Sequence, residues 1–120
     1  MGSLAKHWAF TLNDYTDDDE QRIAAAASSE GVVYVVYGRE VASTGTPHLQ
    51  GHVSLSVKKR QPQLVRLFGQ AHYTVARSVK HSIDYCKKDG DYTEFGTPEN
   101  VYPKFASQGA RKNLTRNSMR

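Results

Sequence analysis

The chain has 120 residues, one cysteine, and 16 Lys and Arg against 12 Asp and Glu, for a formal charge of +4. That length suits one domain with a single core. A lone Cys86 excludes an internal disulfide, no segment reaches the roughly 18 apolar residues of a membrane span, and with no signal-peptide-like run near the start a reducing, intracellular compartment is expected.

In chain order, His7 to Asn13 is rich in β-favouring and aromatic residues and predicts a strand with Trp8, Phe10 and Leu12 on one side. Thr16 then precedes Asp17, Asp18, Asp19 and Glu20, which is the signature of a capped helix with acids at its positive end. The acidic run lacks the spacing of a calcium loop. The alanine-rich Ile23 to Ala27 continues the helix toward Gly31.

Val32 to Tyr37 is apolar on both faces, which suits a central strand. Turn residues from Ser43 to Pro47 link it to Pro47–Ser56, most simply as an antiparallel hairpin that returns Glu40 beside His48. In Pro47–Ser56, polar His48, Gln50, His52, Ser54 and Ser56 alternate with Leu49, Gly51, Val53 and Leu55. His48 and Gln50 are therefore neighbouring candidate metal ligands on one strand face. The facing of Glu40 stays open, because a bulge at a strand end can change the phase.

Residues 62–68 have helical spacing, residues 71–77 alternate as a strand, and Ser78 caps a third helix from Val79 to about Lys88. Asp91 to Gly96 adds a short last strand. The order β-α-β-β-α-β-α-β predicts an α+β domain: an antiparallel sheet of about five strands, helices on one side, and an open face on the other. Residues 1–103 carry 11 basic and 12 acidic side chains, whereas 104–120 is basic with no acid and reads as a linker or disordered tail. Within the body, basic residues from Lys58 to Lys88 gather away from the acids near Asp17. Lys58 and Arg77 are candidate contacts for nucleic acid.

On the third helix Val79, Ile83 and Cys86 form the apolar stripe, while His81, Tyr85 and Lys88 are neighbours on another face. A phenol thus lies beside an ammonium and an imidazole. The string from His48 to His52 also mimics the histidine spacing of zinc proteases, but Leu49 stands at the glutamate position and the segment is not helical. His52 lies about 13 Å from His48 along a straight strand, too far to share an ion, so it is expected to face DNA or to support the ligands from behind.

Phe10-Thr11-Leu12-Asn13, His48-Leu49-Gln50-Gly51 and Tyr85-Cys86-Lys87-Lys88-Asp89-Gly90, in this order and spacing, resemble the three motifs of replication initiator (Rep) proteins of circular single-stranded DNA viruses. The likeness spans about residues 7–96, the N-terminal HUH endonuclease domain of that family. Gln50 at the second ligand position is similar to the circovirus branch. The resemblance implies an RRM-like sheet whose open face binds DNA, with Glu40, His48 and Gln50 as ligands of Mn²⁺ or Mg²⁺. It implies Tyr85 as nucleophile with Lys88 beside it, and Phe10, Thr11, Leu12 and Asn13 as a first motif associated with origin recognition; His52, Lys58, Arg77 and His81 are further candidate DNA contacts.

The implied activity is sequence-specific nicking and joining of single-stranded DNA at a viral replication origin, through a 5′-phosphotyrosine link, in the host nucleus. The implied form is a monomeric fragment of a longer protein able to oligomerise, with no membrane partner. Asp14 departs from the family pattern, where a second asparagine often follows. No phosphate-binding loop is present, so ATP hydrolysis and unwinding are not expected of this chain. The competing readings are a noncatalytic single-strand-binding module, whose binding would be indifferent to chelation, and an interaction domain with no nucleic-acid role, which would lack a steep salt dependence.

Overall fold

The computed structural model describes residues 2–98. The expected basic tail at 104–120 and the expected domain end at 103 lie outside the described residues. The elements follow the expected order: β1 (Ala5–Asn13), α1 (Asp17–Ala27), β2 (Val32–Val41), β3 (Pro47–Lys59), α2 (Gln61–Phe68), β4 (His72–Val75), α3 (Val79–Cys86) and β5 (Tyr92–Gly96). All strand pairings are antiparallel, in the spatial order β4-β1-β3-β2-β5. The result is the α+β class expected, with an open five-stranded sheet.

Local chemistry sets the boundaries. β1 ends at Asp14, which takes a positive φ of 54° and donates its N–H to the Pro47 carbonyl at 2.8 Å. Aspartate is among the few non-glycine residues that tolerate this conformation. Thr16 caps α1 in a reciprocal arrangement: its hydroxyl accepts from the Asp19 N–H, and the Asp19 carboxylate accepts from the Thr16 N–H. Such a cap contributes about 1 kcal/mol, which accounts for the acidic run without any metal.

The two sheet faces are filled differently. Trp8, Phe10, Val35, Tyr37, Leu49, Val53 and Leu55 meet Ile23 and Ala26 of α1 and Leu64 and Phe68 of α2 in the main core. On the other face a smaller cluster of Tyr34 and Val36 packs against Ile83 and Cys86 of α3. The expectation of helices on one side only is therefore corrected: α3 lies on the second face. The reason was present in β2, whose apolar residues on both faces need cover on both. The α3 stripe of Val79, Ile83 and Cys86 finds its match there. No helix among the described residues is long and apolar enough to cross a membrane.

Candidate active site

Strand register lays the site out in rows on the α3 face. Asn13, His48 and Glu40 are consecutive cross-strand partners on β1, β3 and β2, and the next row along the strands places Thr11, Gln50 and Gly38 together. Side chains two apart share a face, so both rows point toward α3. This settles the phase of Glu40: Tyr34, Val36, Gly38 and Glu40 follow regular alternation, and the irregularity in β2 falls earlier, between Val32 and Tyr34.

The side chains then converge. His48 Nε2 and Glu40 Oε1 are 3.1 Å apart, with both side chains largely shielded from solvent. Lys88 Nζ donates to the other carboxylate oxygen, Glu40 Oε2. The same Nζ sits 3.9 Å from the centroid of the Tyr85 ring, and the His81 ring stacks on Tyr85 at 6.4 Å. Lys88 thus touches both the helix tyrosine and the sheet carboxylate. Burial acts first, against its charge, but the hydrogen bond and negative charge of Glu40 outweigh it and hold the Lys88 pKa above the usual lysine value.

Tyr85 is 45% exposed, and together with Gln50, His81, Ser82 and Arg77 it lines a cavity of about 420 Å³. Backbone contact fixes how α3 reaches this place. A Cβ built on Gly38 would lie 2.0 Å from the Cys86 carbonyl oxygen, so only glycine lets the C-terminal turn of α3 sit directly on β2. That turn carries Tyr85 and leads into Lys88.

Gln50 is held on two sides. Its Oε1 accepts from the Thr11 hydroxyl at 3.3 Å, and its Nε2 donates to the Phe10 carbonyl at 3.4 Å. Among the described residues no cluster of three or more His, Cys, Asp and Glu side chains could hold a metal ion. Glu40 and His48 offer one carboxylate and one imidazole on one row, and Gln50 an amide oxygen on the next. That mixture of oxygen with a single imidazole suits a hard or borderline divalent cation, and Glu40 already attracts a cationic group in Lys88.

Several expected DNA contacts change. Phe10 is buried at 3% exposure in the main core, and Leu12 packs against that core. Both point away from the α3 face, because odd and even positions of β1 divide between the faces. Thr11 and Asn13 are the residues of that motif on the site's side. His52 does not face DNA: it is fully buried beneath α3, with Nδ1 2.8 Å from Ser82 Oγ and Nε2 2.9 Å from Ser54 Oγ. Lys58 lies toward the far end of β3, about 33 Å along a straight strand from His48, and is not brought to the site. Arg77 and His81 are, on the cavity rim.

Ser82 escaped the sequence reading. The signal was a serine at i+3 from Val79 and i−4 from Cys86, beside the apolar stripe, opposite the polar strand face that carries His52.

An open antiparallel sheet with a tyrosine-bearing helix docked over a carboxylate–imidazole pair defines a class of α+β domain built around one polar end of the sheet. A family model described as "Putative viral replication protein" matches residues 5–89, from the first strand through the last helix. The chain belongs to that family. It is 44% identical over 90 residues to the replication-associated protein of pigeon circovirus, covering 74% of this chain and 28% of that protein. The corresponding protein of beak and feather disease virus is 38% identical over 91 residues, 75% of this chain and 31% of that one. The protein named Para-Rep C2 of subterranean clover stunt C2 alphasatellite is 38% identical over 97 residues, 79% and 35% of the two chains. The chain thus spans about a third of the length of these relatives.

Proposed function

We propose that this domain nicks single-stranded DNA at a viral replication origin and rejoins it, using Tyr85 as the nucleophile and a divalent cation, Mn²⁺ or Mg²⁺. The observation that carries the reading is Lys88, which contacts the Tyr85 ring and Glu40 at once and so ties the tyrosine of the helix to the carboxylate of the sheet. Family membership and the replication-associated relatives support the same reading.

Glu40, His48 and Gln50 would hold the cation, which supplies Lewis-acid polarisation of the scissile phosphate. The chain's own groups do the rest. The Tyr85 hydroxyl gives its proton to solvent and its oxygen attacks phosphorus; an O–P bond to tyrosine forms, the bond to the 3′ oxygen breaks, and that oxygen takes a proton from solvent, leaving a 5′-phosphotyrosine and a 3′-hydroxyl. Free tyrosine titrates near pH 10, and the Lys88 ammonium against the ring stabilises negative charge on the phenol oxygen as it develops. Because the phosphodiester bond energy is kept in the adduct, the 3′-hydroxyl can reverse the step and rejoin DNA.

Incubation of the chain with a randomised single-stranded DNA library and Mn²⁺ tests this. The expected result is a protein–DNA adduct that survives denaturing gels, is absent with EDTA and is abolished by Tyr85→Phe. Adduct formation at an undiminished rate by Tyr85→Phe would reassign the nucleophile, and sequencing the attached DNA gives the recognition site.

A further inference from the structure

The cavity beside Tyr85 has a neighbour at the sheet edge. Two of its lining residues, Val75 and Arg77, also line a second, larger cleft of about 600 Å³. That cleft opens where the first turn of α2 meets β4, between Arg60 and Gln61 on one side and Tyr73, Thr74 and Arg77 on the other. β4 is an edge strand of only four residues, paired with β1 alone. A flexible polymer leaving one cavity reaches the other by passing over a single strand.

Charge marks what that polymer would be. Arg22, Arg39, Lys80, Lys87 and Lys88 are each paired with a carboxylate. Arg60 and Arg77 are exposed, and among the described residues neither pairs with an acid. Arg60 instead donates to the Gly2 carbonyl at 2.8 Å, which leaves its positive charge uncompensated. Among the described residues no acidic side chain lines either cavity. The larger cleft joins these guanidinium groups to the apolar side chains of Val75 and Pro62 and the hydroxyl of Thr74, which matches a nucleotide's combination of phosphate, base face and sugar. Its volume falls in the range of ligand clefts, roughly 300–1,000 Å³.

We propose that this cleft holds the single-stranded DNA that continues past the linkage at Tyr85, with the strand turning over the β4 edge and its phosphates held between Arg77 and Arg60. The proposal rests on the reading of Tyr85 as the DNA-linked residue. A recessed cleft favours a single strand over a duplex, whose rigid rod cannot turn round one strand of sheet.

Binding of fluorescent thymidine oligonucleotides to the full chain in EDTA tests the path apart from the chemistry. One probe has about 20 nucleotides and one about 5, beyond the upper end and near the lower end of the roughly 4–16 nucleotides that a small single-strand-binding fold covers. Arg60→Gln is expected to weaken binding of the long probe about three- to tenfold and to flatten its log–log salt slope by about 0.7, the share of one phosphate contact on single-stranded DNA. The short probe is expected to bind as before. Gln61→Glu serves as the second variant: a negative charge in the first turn of α2 favours the helix but repels phosphate, so its loss of long-probe binding at an unchanged melting temperature cannot come from unfolding.

Unchanged affinity and salt slope for both variants overturn the proposal. So does an equal loss on both probes, or a loss confined to a duplex of the long probe's length. The Mn²⁺ adduct assay decides the nicking activity separately. A chain that forms no adduct but loses long-probe affinity on Arg60→Gln keeps the cleft as a DNA site and removes the enzyme.

Discussion

His52 Nδ1 lies 2.8 Å from Ser82 Oγ, which fastens the middle of the central strand to the helix that carries Tyr85 one turn further on. The chain of contacts runs on through Ser54, 2.9 Å from His52 Nε2, to His7 Nδ1, 2.8 Å from the Ser54 hydroxyl. Burial first, and the charge of His7 second, push the His52 pKa down to about 4. A neutral imidazole offers one donor and one acceptor, and here each nitrogen meets a hydroxyl. His52 is thus a positioning residue: it sets how α3 lies over the row of Gln50 and His48, and it touches no substrate.

Ser82→Ala is expected to slow Tyr85 adduct formation about tenfold, the rate equivalent of roughly 1.4 kcal/mol, while single-stranded DNA affinity stays within about twofold. Ser82→Thr, which keeps the hydroxyl, should restore most of the rate. A purely structural hydrogen bond would lower the melting temperature and leave the rate of the folded fraction intact. Single-turnover kinetics beside a binding isotherm separate the two, and equal rates for wild type and Ser82→Ala would remove the positioning role.

The same histidine makes stability depend on pH. The unfolded chain takes up its His52 proton near pH 6.5, the folded chain only near pH 4, so protonation favours unfolding. The contribution is whole above about pH 6.5 and is lost as pH falls through the window down to about 4. A shift of this size corresponds to about 3 kcal/mol over the whole window. Urea denaturation at pH 5 against pH 7.5 should show the wild type losing about 2 kcal/mol, and His52→Asn should flatten that difference. A wild-type curve flat between the two values would mean that His52 is reached by water.

Lys88 faces two tasks that compete. Its ammonium holds Glu40, one of the groups that would hold a cation, and it also lies against the Tyr85 ring. Lys88→Met keeps most of the stem and removes the charge. Two opposite effects are expected: Mn²⁺ affinity, read by calorimetry or by the electron paramagnetic resonance of free Mn²⁺, rises several-fold, and adduct formation falls by about 10²-fold, within the range for loss of one electrostatic group at a reacting centre. Weaker Mn²⁺ binding in the variant would show that Lys88 supports the site for the ion and does not compete for it.

Much of this arrangement was legible in the residues, because it depends on local signals. Thr16 and Ser78 announced their caps, alternation from Pro47 announced the strand, and turn residues before Pro47 announced the hairpin that sets Glu40 opposite His48. The spacing of His81, Tyr85 and Lys88 gave their contact, although α3 ends at Cys86, short of the expected Lys88, which follows in the turn beyond it. What escaped depends on which surfaces meet. Whether His52 faced solvent or a helix turned on where α3 docks, a choice made by Tyr34 and Val36, which lie 47 to 52 positions before Ile83 and Cys86 in the chain. Phe10 sits in a motif with Thr11 and Asn13, yet a strand sends neighbours to opposite faces, so the motif divides between core and site. Gly38 carries no side chain to read, and its need appears only once the Cys86 carbonyl lies above it.

Gln50 shows how an amide can do what a carboxylate of equal size cannot. Its Oε1 faces the Thr11 hydroxyl and its Nε2 faces the Phe10 carbonyl, so one side of the group must accept and the other must donate. Gln50→Glu adds a negative charge near the site, which on charge alone would strengthen cation binding. It also sets a carboxylate oxygen against the Phe10 carbonyl, where no donor remains. Gln50 is half-buried, so without metal stability is expected to fall by about 1 kcal/mol, the low end of the cost of a polar group left unmatched. Thr11→Val removes only the hydroxyl and should cost about 1 kcal/mol, with Mn²⁺ binding weakened because the amide oxygen is no longer aimed. Urea denaturation in EDTA and Mn²⁺ titration of both variants check this. A Gln50→Glu chain as stable as the wild type would mean that the amide swings free of Phe10, and that its orientation at the site is set by the cation alone.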